Sequence, residues 1–523
     1  MMRSMFRKKA LLAVSALGLA ALLTSCAGPS GVSGATDAPG AESSGASTAP
    51  GVLTVDQIVM MPNVDPYALT STDQWQNVYA MYDPITLTND QGELENVLAE
   101  EWTNEDPLNW VLTLRDGMQW TDDSPILAED VQFSIDRMKD PETKSIWGPA
   151  YTYIESTTVI DEHSIRITTT TPVAELPRDF GRMVLMPKKA FESLGLDAFL
   201  KAPVTSGPFM FESMVPGSTL TLVKNPNYHR GEVKLDKLIF REVPNASTRV
   251  ADVLSGEADI AMSVAPSDIG RIDASGDASI ISSESIERIK LEFMMASDPR
   301  LQDQRVREAV IRSIDPAALN DALFDGLAGL PTGWMNEFTE GFCPVDVPAY
   351  DPEKAKELLA EAGYPDGFDI DLNGSSPSYS IADQVEPAIA DMMAESGFNV
   401  NLIRNEKATD ANLYANGGLM GMRFWGIANT SGGAGQMLRN SDINRASKEM
   451  VDPGLQTLIE AQQAEFDVDK RNAIVCQINE HVVGNSLEMS VLSLPNIAAV
   501  GNDVSGFSPS PYLLQRYDQV EKH

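Results

Sequence analysis

The run Pro203–Tyr228, PVTSGPFMFESMVPGSTLTLVKNPNY, narrows what the surrounding chain can fold into more than any other stretch. Ser206-Gly207-Pro208 is a turn, because glycine accepts positive φ and proline holds φ near about −65°. Phe209 and Phe211 then alternate with Met210 and Glu212, the period-two pattern of a strand with one buried face. Val215-Pro216-Gly217-Ser218 forms a second turn. Thr219–Val223 alternates again, and Asn225-Pro226-Asn227 closes the unit. The pattern predicts an antiparallel meander, and no catalytic group stands out in it.

Around the meander the periodicity keeps changing. Val52–Val59 reads as a strand and Asn63-Val64-Asp65-Pro66 as a turn. Trp110–Leu114 is a strand ended by the turn Arg115-Asp116-Gly117. Leu127, Val131, Ile135 and Met138 stand at helical spacing. Thr157–Thr170 is a strand pair about Asp161-Glu162-His163; Leu235–Val243 is a strand, and Ser247–Leu254 an amphipathic helix stopped by Gly256. Tyr350–Tyr364 is a helix with Asp351 as N-cap, Pro352 in the first turn and Gly363 at its end. Asp369–Asn373 (strand), Ile381–Ser396 (helix) and Val400–Arg404 (strand) follow in a βαβ-like rhythm. Gly454–Asp467 and Lys470–Val483 are two further helices. Apolar runs at 286–296 and 486–496 read as two crossings between lobes. The expected architecture is an α/β two-lobe clamshell: residues 52–288 form one lobe with an extra subdomain, 289–485 the other, and 486–523 return to the first. Ligands favour interfaces between domains, and hinge closure around a ligand is a known mode of switching.

The meander resembles the signature of the solute-binding proteins of the peptide/nickel class of ABC importers, P-x-G-T-G-P-Y-x-F followed by x-P-G, an alternating strand and N-P-x-Y. Ser206 stands where that form has Thr, and Phe209 where it has Tyr. Further phrases fall in the family's order. They are Tyr82-Asp83-Pro84, Leu98-Ala99-Glu100-Glu101-Trp102, Leu114-Arg115-Asp116-Gly117, Ala128-Glu129-Asp130-Val131, Gly256-Glu257-Ala258-Asp259-Ile260 and Arg305-Val306-Arg307-Glu308-Ala309. The resemblance spans nearly all of 52–500. It implies a periplasmic-binding-protein-like clamshell of class II type that is no enzyme, captures a solute, and delivers it as a monomer to a permease and its ATPase subunits.

The start of the chain supplies an address. Arg3, Arg7, Lys8 and Lys9 precede the apolar run Ala10–Leu23, and Leu23-Thr24-Ser25-Cys26 resembles a lipobox. Residues 1–25 then read as a lipoprotein signal peptide, Cys26 as the lipid anchor on the outer face of the cytoplasmic membrane, and 27–51 as a Gly/Ser/Ala/Pro tether. With 75 Asp+Glu against 39 Lys+Arg, net −36, the body is unsuited to nucleic acid or anionic lipid. Cys343 and Cys476 are open to two readings in an exported chain: a disulfide, or two buried small hydrophobes.

Catalytic and metal patterns are missing. The four histidines, His163, His229, His481 and His523, include no i, i+4 pair. Gly-x-Ser-x-Gly, a phosphate loop and a dinucleotide fingerprint are absent too, so no metal and no cofactor is expected. The informative stretch is Gly421-Met422-Arg423-Phe424-Trp425-Gly426-Ile427-Ala428-Asn429-Thr430. Peptide-binding relatives carry an Asp just after the corresponding Trp, whose implied role is to pair with a peptide α-ammonium. Here 427–430 are neutral. That leaves room for a longer peptide, an oligosaccharide or an opine-like compound, with a surface hydrolase or a sensor as readings of another kind. Phe424, Trp425, Gly426 and Asn429 are candidate ligand contacts, Trp425 being equally a packing aromatic. Met61, Asn63, Tyr67, Trp334, Ser375, Tyr379 and Arg404 are further candidates; Arg404 would meet a ligand carboxylate or simply Glu406.

Overall fold

The computed structural model describes residues 51–376, 381–440 and 452–523. A ten-stranded mixed sheet runs through the molecule. Its spatial order is Phe398–Glu406, Phe368–Ser376, Met422–Ala428, Ala278–Phe293, Glu488–Gly501, Ile260–Met262, Val52–Gln57, Lys237–Glu242, Thr219–Lys224 and Phe209–Val215. The meander forms one edge: Phe209–Val215 pairs antiparallel with Thr219–Lys224, which pairs antiparallel with Lys237–Glu242. Phe209, Leu220, Leu222, Leu238 and Phe240 bury the same side of it in the first lobe's core. A separate four-stranded antiparallel sheet, in the order Ala99–Asp106, Asn109–Leu114, Ser164–Thr169 and Ile154–Val159, completes that lobe.

Ala278–Phe293 and Glu488–Gly501 join the lobes. In the first, Ile281 and Ile286 pack into one core whereas Ile289, Leu291 and Phe293 pack into another. In the second, Met489, Val491 and Leu492 belong to the latter core and Ala498 and Val500 to the former. The pairing slips where the cores change: Glu284 faces Pro495, but Arg288 faces Ser493. Residues 285–287 thus bulge beside a proline that has no N–H for the ladder. Ser285 Oγ donates to Leu494 O at 2.7 Å, and Ile286 N donates to Pro511 O at 2.9 Å. The C-terminal segment therefore covers this bulge. The forward strand begins at Ala278, earlier than the apolar run near 286 suggests, because the more polar stretch Ala278–Glu284 is also paired, with 495–501.

The second lobe follows its local code. Asp351 Oδ1 accepts from Lys354 N at 2.9 Å, Pro352 opens the helix Pro352–Glu361, and Gly363 takes φ +97°. The parallel strands Phe368–Ser376 and Phe398–Glu406 are joined through the helix Ala382–Glu395. A disulfide links Cys343 to Cys476, closing a loop across 133 residues of sequence and settling the reading left open above. A Glu480 carboxylate oxygen lies within 4.8 Å of both sulfurs, but disulfide sulfurs offer no thiolate to a metal. A loop this long contributes several kcal/mol by restricting the unfolded chain. Replacing both cysteines by serine is expected to lower unfolding stability by about 2–5 kcal/mol, read as a lower urea midpoint with a slope that rises as the unfolded chain expands.

Candidate functional site

The two lobes meet along one charged strip. Glu175, Arg178, Asp179 and Arg182 recur at helical spacing and share a face of the short helical run 176–182. All four are at most 7 % exposed. Arg178 donates twice to Glu340 of the second lobe, Nε at 3.1 Å and Nη2 at 2.9 Å. Arg471 lies 3.4 Å from Glu340 and 3.5 Å from Glu175. Glu175 also accepts from Gln462 Nε2 at 3.1 Å and from the Gly435 backbone N–H. A Cβ on Gly435 would lie 2.4 Å from that carboxylate, so glycine is what lets the backbone come so close. Asp179 accepts from Tyr153 Oη at 2.7 Å and pairs with Arg439.

Desolvation governs these charges. Burial raises the Asp179 carboxyl despite Arg439. Burial acts the same way on Glu340, but there Arg178 and Arg471 outweigh it and hold the carboxyl below its usual range. Each arginine–carboxylate pair satisfies fixed charges that neither lobe alone would keep dry.

Beyond the strip the cleft changes character. Arg182 bonds Thr430 Oγ1 and donates to Ala428 O at 3.3 Å, both neutral acceptors on the second lobe. Its guanidinium lies 4.5 Å above Trp147, whose ring is 6.0 Å from that of Trp75; Trp75 in turn stacks on Tyr79 at 5.3 Å. Glu287, in the hinge bulge, is paired in register with Ala428. Burial first, and the Asp73 charge second, push its carboxyl up to about 7.

The expected contacts are dispersed. Met61, Tyr67 and Trp334 are core residues at most 2 % exposed. Tyr67 Oη donates to Val184 O at 2.8 Å, and the Trp334 indole N–H bonds Glu488. Their strand-end and loop positions suggested a wall, but apolar burial and internal partners claim them. Asn63 Oδ1 accepts from Asp65 N at 2.9 Å beside a groove with Leu200, Phe211 and Met214. Arg404 pairs with Glu386 at 2.8 Å and with Asp383, and so is committed to neither a ligand carboxylate nor Glu406. Ser375 pairs in register with Asn405, and Tyr379 lies outside the described residues, as does Cys26. Phe424 is in the second core, and Gly426 pairs in register with Ile289. Trp425 is half-buried under Arg423, 3.9 Å away. Asn429 is bonded within its own loop, where Nδ2 donates to Gly433 O at 2.8 Å and Oδ1 accepts from Ser431 Oγ at 2.9 Å. The sequence reading missed the 175–182 strip and Arg439; its signal was four charges at i, i+3, i+4 and i+7 in an otherwise apolar run.

Two lobes, two crossing strands and a polar cleft between them define a hinged binding protein. The comparisons agree. The model for bacterial extracellular solute-binding proteins, family 5, matches residues 93–447, and the chain belongs to that family. Its members are binding proteins, not enzymes. The chain is 28% identical over 346 residues to the glutathione-binding protein GsiB of Salmonella typhi, a match covering 65% of this chain and 66% of that one. HbpA2 from Haemophilus parasuis superposes with a TM-score of 0.79 at 22% identity, covering 90% of this chain and 100% of its own. MoaA from A. tumefacien R10, solved with mannopinic acid, gives 0.71 at 26% identity and covers 90% and 99%. Among the described residues no helix is long and apolar enough to cross a membrane.

Two outcomes are expected. Arg439→Ala strands the Asp179 carboxylate in the closed cleft, a penalty of about 3–5 kcal/mol that opening the lobes relieves. A larger radius of gyration in solution scattering than that of wild type checks this. Glu287 binds its proton more tightly folded than unfolded, so wild type loses stability as pH rises from about 4.5 toward 7 and then levels off. Glu287→Gln is expected to gain about 1–3 kcal/mol over wild type at pH 8, with the gain vanishing near pH 4.5; parallel urea titrations at the two pH values give the difference.

Proposed function

We propose that this chain is the capture component of an ABC importer for peptides or related small polar solutes. It takes the solute between its lobes, closes about the bulged hinge and delivers it to a membrane permease powered by ATPase subunits. The observation that carries this reading is the strip Glu175–Arg178–Asp179–Arg182, whose partners Glu340, Arg439, Thr430 and Arg471 all lie on the opposite lobe. Such a strip can be satisfied in the closed form alone, so it converts closure into a defined state a permease can read. Membership of family 5 supports the importer role, and likeness to a glutathione-binding protein supports a peptide-like solute. The neutral 427–430 segment argues for a solute held differently from a free dipeptide, and the mannopinic acid bound to MoaA keeps an opine-like compound as the second reading.

On this proposal residues 1–25 are a cleaved signal, Cys26 carries the lipid, and 26–51 tether a monomeric body to the outer face of the cytoplasmic membrane. Residues 52–288 and 289–485 act as the two moving bodies, with 486–523 completing the first. Trp425, Gly426 and Asn429 contribute to the cleft wall from the second lobe.

Native mass spectrometry of the purified chain, followed by denaturing release, tests the reading. Release of masses that fragment as peptides is expected; one hexose-spaced or opine-type mass would replace the peptide reading with the second one. Turnover of a peptide or glycan by the purified chain would overturn the binding-protein role itself.

A further inference from the structure

Arginines 178, 182, 439 and 471 line one cross-lobe strip, and three of them face carboxylates: Arg178 with Glu340, Arg439 with Asp179, Arg471 with Glu175 and Glu340. Arg182 differs. Among the described residues it has no carboxylate at ion-pair distance, although it is only 7 % exposed. Its two hydrogen bonds go to neutral oxygens, of Thr430 and Ala428. A guanidinium carries five N–H donors, so three remain. A buried cation without a counter-ion is unfavourable unless a partner arrives to compensate it.

The surroundings of Arg182 are also short of acceptors. Its plane rests on Trp147 and the adjoining ring is Trp75, 0 % exposed. Both indole Nε1–H groups are buried with no hydrogen-bond partner. Tyr79, the third ring, spends its hydroxyl on Gly181 O at 2.7 Å. The cluster thus holds one positive charge with no carboxylate at ion-pair distance among the described residues, and two unspent donors, on the first lobe, against Ala428 O and Thr430 Oγ1 of the second. Burial draws the Arg182 pKa down, whereas the carboxylate-paired Arg439 is held up despite similar burial.

Resting on the importer reading above, we infer that Arg182, stacked on Trp147 beside Trp75, is a specificity residue that receives a single carboxylate of the imported solute. One guanidinium matches one negative charge; a phosphate dianion would leave charge over. The planar fork suits a two-oxygen group, and the aromatic floor holds the fork in place. Closure then completes the subsite, since Thr430 and Ala428 orient the same guanidinium from the other lobe.

Calorimetric titration of the full chain with trialanine and with trialanine amide tests the assignment. Wild type is expected to bind the free acid at least tenfold more tightly than the amide. Arg182→Gln is expected to bind both with the affinity wild type shows for the amide, and Arg182→Lys to recover part of the preference, which a merely unfolded variant would not. An equal preference in wild type and Arg182→Gln, or none in wild type, overturns the subsite. If neither peptide binds wild type, the peptide reading fails on its own, and the solute released from the purified chain is compared with its methyl ester. Tighter binding of the unesterified solute by wild type, lost in Arg182→Gln, upholds the subsite; equal binding of the two forms by wild type overturns it.

Discussion

Closure of this molecule depends on arginine–carboxylate pairs whose members belong to different lobes. Asp179 and Glu340 are acids that burial alone would favour in the neutral form. They remain usable as anions because Arg178 and Arg439 arrive from across the cleft. In the open state water serves both sides. The net gain on closing is therefore small, as expected when desolvation offsets attraction. A small gain is what a capture protein requires: strong empty closure would exclude the solute, and strong repulsion would prevent retention. On the importer reading, the strip would set geometry and leave the decisive free energy to the ligand.

That balance works only if the lobes can move as bodies, and the crossing strands permit it. Ala278–Phe293 and Glu488–Gly501 pair antiparallel through most of their length, so each lobe is stiff up to its end. The register of the ladder shifts twice, at 285–287 opposite Leu494 and again between Ile289 and Lys290. Just past it the second lobe is locked by Lys290 with Glu292 and Glu488 at 2.8 and 3.0 Å, and by Arg423 with Asp410 at 2.7 Å. Burial pulls the Lys290 ammonium down, yet its two carboxylates outweigh that and raise it. These pairs tie Lys290, Glu292, Glu488, Arg423 and Asp410 into one buried charge network beside the second shift.

Much of this was legible in the sequence because it is turn and cap code. Asp351-Pro352, Gly256, Gly363 and Gly217 in the second turn of the meander each report a backbone conformation that few other residues accept, and those elements appear where the pattern puts them; Gly207 in the first turn has no positive φ, and its constraint is instead that a Cβ would lie 2.6 Å from the Met81 backbone. Side-chain destinations were not legible. Met61, Tyr67 and Trp334 are apolar residues near element ends, and sequence gives the same pattern for a cleft wall as for a core. Only the fold shows that Tyr67 and Trp334 spend their polar atoms internally. Arg404 illustrates a second blind spot: its partners Glu386 and Asp383 are about twenty residues away on a helix packed beside it, beyond any local charge pattern. The strip at 175–182 was readable, since its charges keep helical spacing, but Pro177 and Gly181 make the same run look like a loop.

Charge placement around Ala428 also bears on what the cleft accepts. The stretch 427–430 is neutral, yet two ionisable groups flank it from other elements. Glu287 is paired beside Ala428 on the neighbouring strand, and Arg182 reaches Ala428 and Thr430 from the first lobe. Each lies in a setting that disfavours its own charge: burial raises the Glu287 carboxyl to about 7 and lowers the Arg182 guanidinium. The two do not bond each other. A solute bearing an amine and a carboxylate would relieve both at once, whereas a neutral sugar would relieve neither. The ionisable groups beside the neutral segment thus come from residues distant in sequence, Glu287 and Arg182.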